Sequence, residues 1–143
     1  MLVDANLLLF ARDSTSPFHE RSRTWLEAQL RGPARVGLPW QSLGAFVRIA
    51  THPRILEAPL TPDDAWDQVE DWLAAEPAWV PLPTERHGEA LGQLVRRHQL
   101  RANTITDAQL AALAIEHGVA VASADADFAR FTEIRWVNPL ASR

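Results

Sequence analysis

The chain has 143 residues, a formal net charge of −4 and no cysteine. A chain of this length most simply forms one domain, residues 1–143, with a sizeable buried core. Without cysteine it has no disulfide, no thiolate metal site and no thiol nucleophile, which fits the reducing cytosol. Only three residues precede Asp4, and no apolar run approaches the ~20 residues of a membrane-spanning helix. We therefore expect a cytoplasmic protein with no signal peptide and no membrane partner.

Apolar runs of strand length alternate with amphipathic segments of helix length. The predicted strands cover residues 1–3, 35–38, 79–81, 119–122 and 134–137. The predicted helices cover 17–31, 41–51, a segment starting at Thr61-Pro62, a segment from 84 to about 98, and 107–117. This alternation predicts right-handed βαβ units, and therefore an α/β fold with a parallel sheet and helices on both faces.

Four aspartates stand where apolar runs end or helices begin. Asp4 closes the first strand, Asp107 opens the last helix, and Asp125 and Asp127 follow the run at 119–122. Taken singly, each has a simpler explanation as a helix cap or a turn residue. Taken together, Asp4 and Asp125 end parallel strands and must reach the same edge of the sheet. Asp107 joins them only if the loop before it brings its helix to that edge.

Carboxylates that converge in this way repel one another unless a divalent cation holds them. Mg²⁺ is the ion that such oxygen ligands usually bind, and Mn²⁺ is a possible substitute. A metal at this edge favours phosphodiester chemistry, because it lowers the pKa of water and screens phosphate charge. The net charge of −4 argues at the same time against a broad basic face for nucleic acid.

The segments MLVDANLLLF, NTITDAQLAALAIEHG and VASADADF together resemble the PIN-domain family, in particular the VapC-type toxins of bacterial toxin–antitoxin modules. The resemblance spans nearly the whole chain, and LPWQSLGAFVRIATHPRI resembles one branch of these toxins. It implies a three-layer fold with a central, mostly parallel sheet of four to five strands flanked by helices. It also implies a Mg²⁺-dependent endoribonuclease that cleaves RNA, is neutralised by a small VapB-like antitoxin and is usually a homodimer.

Matched by position, the resemblance makes Asp4, Asp107 and Asp125 metal ligands. It makes Asp127 a more variable acid that assists catalysis or only caps a helix. Asn6 would orient Asp4 through a hydrogen bond. Ser123 is placed to orient the last acid, although a plain turn role explains it equally well.

One position departs from the family pattern. Many members carry a glutamate early in the helix after the second strand, where residues 41–45 here read Gln-Ser-Leu-Gly-Ala. Gln41 or Ser42 could hold a water molecule on the metal, but neither supplies charge. The pattern therefore favours one bound metal over two.

Other functions remain open from the residues alone. The missing glutamate is compatible with a degenerate PIN-like module that binds RNA or protein without cleaving. A metal-dependent phosphatase on another α/β fold would also need clustered carboxylates. Among the tryptophans, Trp25, Trp66 and Trp72 are predicted to pack in a core or dimer interface, and Trp40 alone is considered for RNA contact.

Overall fold

The computed structural model describes residues 1–141, which form five short strands, six α-helices and one 3-10 helix. The strands are β1 (Leu2–Val3), β2 (Val36–Gly37), β3 (Ala78–Trp79), β4 (Val121–Ala122) and β5 (Trp136–Val137). The α-helices are α1 (Ala5–Arg12), α2 (His19–Leu30), α3 (Trp40–Ala50), α4 (Pro62–Leu73), α5 (His87–His98) and α6 (Thr104–His117). The 3-10 helix covers Ala126–Arg130, between β4 and β5.

The strands form one parallel sheet in the order β3-β2-β1-β4-β5. β1 lies at its centre, where Leu2 pairs with Gly37 of β2 on one side and with Val121 of β4 on the other. The predicted α/β fold with a parallel sheet is therefore confirmed. Because β1 and β4 are adjacent and parallel, the residues that follow them emerge side by side at one edge of the sheet.

Helices cover both faces of the sheet, which gives the expected three layers. Val3 packs in a buried cluster with residues of α1, α2, α3 and α4, such as Leu8 and Phe46. Leu2 points to the other face, where it packs with residues of α5, α6 and the 3-10 helix. Within the described residues, no helix is long and apolar enough to cross a bilayer.

Three features differ from the sequence expectation. No helix was delimited between the first strand and residue 17, although Asp4 was considered as a helix cap; α1 forms directly after Asp4 and buries Leu7, Leu8 and Ala11. The last helix begins at Thr104, three residues earlier than expected, so Asp107 lies within its first turn. Trp66 was placed in the apolar stripe of its helix, but 46% of its surface is exposed.

The turn between α5 and α6 contains two non-glycine residues with left-handed backbone. Gln99 has φ +50° and Ala102 has φ +52°. This conformation costs an L-residue roughly 1–2 kcal/mol, because Cβ approaches the following carbonyl oxygen. The turn thus stores strain immediately before the helix that carries Asp107.

Candidate metal centre

Asp4 is held at the end of β1 by its neighbours on both sides. Its backbone N–H donates to the carbonyl of Ala122 at 2.9 Å, which continues the ladder between β1 and β4. Its Oδ1 accepts a hydrogen bond of 2.8 Å from the N–H of Ala5 and caps α1. The capping role that the sequence allowed is therefore real, but it occupies only one of the two carboxylate oxygens.

The second oxygen of Asp4 belongs to a hydrogen-bond network between the ends of β1 and β4. The buried hydroxyl of Ser123 donates to Oδ2 of Asp4 at 2.7 Å. The amide of Asn6 donates to Ser123 Oγ at 3.1 Å and to Asp4 Oδ2 at 3.4 Å, and its oxygen accepts from Ala124 N–H. Ser123 Oγ also accepts from the N–H of Asp125. Asn6 and Ser123 thus fix the orientation of Asp4 relative to the backbone of Asp125.

Asp125 and Asp127 lie on one short turn after β4. Asp125 caps the 3-10 helix, because its Oδ1 accepts a hydrogen bond of 2.9 Å from the N–H of Asp127. Asp125 is half-buried and Asp127 is exposed. The cap stabilises the short turn that carries both carboxylates.

Asp107 reaches the same edge from the first turn of α6. The carbonyl of Thr106 accepts a hydrogen bond of 2.9 Å from the side-chain amide of Gln41 in α3. This contact joins the start of α6 to the start of α3, the helix that follows β2. The loop before α6 therefore brings Asp107 to the edge of the sheet where Asp125 and Asp127 lie, as a shared site requires.

Three of the four predicted acids form one compact group. Asp107, Asp125 and Asp127, here called the carboxylate cluster, each offer one oxygen, and these oxygens lie within 4.8 Å of one another. Oxygen ligands around an octahedral Mg²⁺ lie about 3.0–4.2 Å apart, given Mg–O distances near 2.1 Å. Small side-chain rotations would bring this donor set to that geometry. Asp4 is outside this three-oxygen group but adjacent to it.

The four carboxylates lie close enough to influence one another's ionisation. Burial, and after it the negative charges of Asp125, Asp4 and Asp127, together raise the pKa of Asp107 to about 6. Burial also raises the pKa of Asp4, while its hydrogen bonds from Ser123 and Ala5 oppose the change. A cation among these groups would relieve both the repulsion and the desolvation. The donor chemistry therefore fits a hard divalent ion.

The helix that follows β2 supplies no acid to this edge. Gln41 uses its amide nitrogen to bind Thr106, and Ser42 is buried with a hydroxyl that has no hydrogen-bond partner among residues 1–141. Residues 41–45 thus contain no carboxylate. Gln41 connects α3 to α6, and Ser42 is buried.

Arg130 is a charged residue near the centre that the sequence analysis did not select. It ends the 3-10 helix, and its positive charge opposes the rise in the pKa of Asp107. Arg130 is exposed. In the sequence, the position of Arg130 three residues after Asp127 was the feature that could have indicated its closeness to the acids.

The sequence of this chain is similar to those of known proteins. The model of the PIN domain family matches residues 1–134. The chain is 45% identical over 140 residues to Ribonuclease VapC37 of Mycobacterium tuberculosis, covering 98% of this chain and 97% of that protein. It is 39% identical to VapC ribonuclease Mb2897 of Mycobacterium bovis, covering 98% and 95%.

Solved structures agree with the fold at much lower identity. The structure of VapBC2 from Rickettsia felis, bound to a DNA fragment from its promoter, gives a TM-score of 0.68 at 11% identity, covering 96% of both chains. With its parallel sheet and two helical layers, the chain has the same fold as the VapC toxin of such assemblies.

Proposed function

The chain belongs to the PIN domain family. We propose that it is a divalent-metal-dependent endoribonuclease of the VapC type. The observation that carries the proposal is the carboxylate cluster, whose three oxygens lie within 4.8 Å of one another. Relatives of nearly the same length are named ribonucleases, which supports RNA as the substrate. A group of this kind suits phosphodiester hydrolysis, because a metal held there would activate water and offset the negative charge of the phosphate.

We propose as metal ligands Asp107 and Asp125 of the carboxylate cluster together with the adjacent Asp4. Asp127, the third member of the cluster, is a further acid that assists them. Mg²⁺ is the preferred ion and Mn²⁺ the substitute, because all the donors are carboxylate oxygens. The absence of an acid at residues 41–45 favours one ion over two. When bound, the ion lowers the pKa of a water molecule and neutralises charge on the phosphate in the transition state.

The residues of the chain hold and orient the reacting groups. Asn6 and Ser123 hold Asp4 in one orientation through the bonds described above. The first turn of α6 presents backbone N–H groups at its positive end, which attract an anionic phosphate. The exposed guanidinium of Arg130 is placed to bind a phosphate oxygen beside Asp107. These groups position RNA, while the carboxylates exclude it until a cation is present.

A small VapB-like antitoxin would neutralise the enzyme, and the chain would act as a homodimer in the cytoplasm. The similar fold of a toxin solved as VapBC2 supports a partner of this class. Since the carboxylate cluster repels anions, an arginine-bearing segment of the antitoxin would bind there in place of the metal. Co-purification of a small protein encoded beside this gene tests the partner, and its absence would contradict it.

A second function, a PIN-like module that binds without cleaving, is favoured only by the missing acid at residues 41–45. Calorimetric titration with Mg²⁺ or Mn²⁺ separates the two, since a non-cleaving module needs no metal. The phosphatase alternative required another α/β fold, and membership of the PIN domain family removes that basis.

The proposed function is tested by brief expression in a bacterial host, followed by sequencing of the new 5′ ends of RNA. We expect growth arrest and discrete new ends for the wild type, and neither for Asp4→Asn or Asp107→Asn. The control is Asp67→Asn, an exposed acid of α4 outside the carboxylate cluster, which should behave as the wild type. Unchanged ends in both active-site variants would contradict the proposal.

A further inference from the structure

An apolar groove lies between the start of α3, the segment 81–83 and α6. Its volume of about 310 Å³ lies near the lower limit of small-ligand sites, about 300–1,000 Å³. Trp40, Leu82 and Leu113 form part of its apolar wall, and Gln41, His87 and Gln109 supply polar groups. We call it the Trp40 groove. No aspartate or glutamate lines it, so it suits an uncharged ligand.

One contact links the groove to the start of the helix that carries Asp107. Gln41 lines the groove and also binds the carbonyl of Thr106, the residue before Asp107. Gln109 lies two residues after Asp107 on α6, about 3 Å further along the helix axis and about 200° around it. The groove is therefore reached from the carboxylate cluster past the start of α6, at the contact between Gln41 and Thr106.

Trp40 presents an exposed ring at the wall of the groove. It is 49% exposed although it is the first residue of a helix that otherwise packs on the sheet. Its ring is parallel to that of Trp66 in α4, with 5° between the planes and 6.4 Å between the centroids. Trp66 thereby restricts the orientation of Trp40. An exposed and oriented indole is the kind of surface on which unpaired bases stack.

Charge limits the direction from which RNA could approach. The acids of α4 beside Trp66 are exposed, and none of them forms an ion pair among residues 1–141; they are Asp63, Asp64, Asp67, Glu70 and Asp71. They would repel a phosphate chain that crossed Trp66. This charge favours a path of the sugar–phosphate chain on the side of α6, from which an uncharged base would enter the groove.

We propose that the Trp40 groove binds one unpaired nucleobase of the RNA substrate, stacked on Trp40 in a nucleotide near the scissile phosphate. The side-chain amides of Gln41 and Gln109 supply the hydrogen-bonding groups that face the edge of the base. This inference rests on the proposed function, because it assumes RNA at the carboxylate cluster. It makes Trp40 the residue that holds a base near the cleavage position, and the amides of Gln41 and Gln109 the groups that select which base is accepted.

The test measures binding and cleavage separately. Binding of a fluorescein-labelled single-stranded oligoribonucleotide of mixed sequence is followed by anisotropy with all four aspartates present and Ca²⁺ in place of Mg²⁺, and a gel checks that the probe stays intact. We expect Trp40→Ala to weaken binding at least roughly tenfold, as loss of one stacked base does, and Trp40→Phe to restore most of it. Phe18→Ala, which removes an exposed aromatic residue outside the groove, is the matched control and should not change binding.

In cleavage by the otherwise wild-type enzyme, Trp40→Ala should raise KM with little change in kcat. Equal KM for wild type and Trp40→Ala, with cleavage intact, overturns the base site and leaves the proposed function standing. If Trp40→Ala instead changes the molar mass in light scattering without changing RNA affinity, the groove is an interface between copies and the inference is wrong. A wild type that neither cleaves nor binds RNA overturns the proposed function, and the inference with it.

Discussion

The hydroxyl of Ser123 donates a hydrogen bond of 2.7 Å to Asp4 Oδ2, although 119 residues separate them in the sequence. The bond exists because β1 and β4 are adjacent and parallel, so their C-terminal ends place Asp4 and Ser123 side by side. Asp4 is thereby oriented by a residue that precedes Asp125 by only two positions. The two halves of the candidate metal centre are connected by this contact.

Replacement of Ser123 by alanine should weaken the metal centre more than the fold. The hydrogen bond from Ser123 lowers the pKa of Asp4 against the effect of burial, so its loss should raise that pKa further. We expect a loss of about 1–3 kcal/mol in unfolding free energy, and a loss of about 10–100-fold in Mg²⁺ affinity. Thermal unfolding and calorimetric titration measure the two effects.

Ser22 provides the matched control for that experiment. It is equally buried, and its hydroxyl donates a 2.7 Å hydrogen bond to the carbonyl of Leu7 between α2 and α1. Ser22→Ala should lower stability by a similar amount and leave Mg²⁺ affinity unchanged. Equal losses of metal affinity in both serine variants would show that Ser123 acts only through general stability.

Removal of the Asp107 carboxylate should stabilise the metal-free protein. The charges of Asp125, Asp4 and Asp127 repel that of Asp107, so Asp107→Asn relieves repulsion in EDTA. Each 1 kcal/mol relieved raises Tm by roughly 2–4 °C for a chain of this size. Mg²⁺ at 100 times its Kd should stabilise the wild type by about 2.7 kcal/mol and the variant hardly at all.

The exposed acid Asp67 in α4 is the control for this charge effect. Asp67→Asn should leave both the Tm in EDTA and the response to Mg²⁺ close to those of the wild type. A lower Tm in EDTA for Asp107→Asn than for the wild type would contradict the repulsion that the structure indicates.

The stability of the metal-free protein should depend on pH through Asp107. Its folded pKa of about 6 lies above the ordinary value of 3.8. Between these values the folded state binds more protons than the unfolded state, so this group's contribution to stability falls as pH rises. In EDTA, the difference between the Tm of Asp107→Asn and that of the wild type should therefore increase as the pH is raised from about 4 to about 7. A difference that stays constant or decreases over this range would contradict the assignment.

The left-handed conformation of Ala102 makes a local prediction about stability. Ala102→Gly should stabilise the fold by up to about 1 kcal/mol, because relief of strain exceeds the extra entropy of the unfolded chain. Ala28→Gly, at an exposed position inside α2, should instead destabilise it by about 1 kcal/mol. Thermal unfolding of both variants checks the contrast, and destabilisation by Ala102→Gly would contradict it.

Most of the architecture follows from patterns that the sequence contains. Thr61 caps α4 by accepting from Asp64 N–H, with Pro62 in the first turn, and Gly118 ends α6 with φ +65°, both as expected. The shared edge of Asp4 and Asp125 follows from parallel strands alone. These features depend on local residue preferences and on the geometry of parallel strands, and both can be inferred from the sequence.

The remaining features depend on tertiary contacts. Only Asp4 separates the two-residue strand β1 from α1. Because the residues on both sides are apolar, hydrophobic periodicity did not indicate where the strand ends and the helix begins. The early start of α6 requires Ala102 in a conformation that alanine disfavours. Trp66 has helical spacing typical of a core residue, and its exposed stacking on Trp40 is set by how α3 and α4 pack.

The central claim is that Asp107 and its neighbouring carboxylates hold a divalent ion that RNA cleavage requires. The most direct measurement is cleavage of total RNA by purified wild type and Asp107→Asn, each with Mg²⁺ and with EDTA. We predict cleavage only by the wild type and only with Mg²⁺, while the circular dichroism spectra of the two proteins agree. Cleavage by Asp107→Asn at the wild-type rate, or undiminished wild-type cleavage in EDTA, would contradict the account.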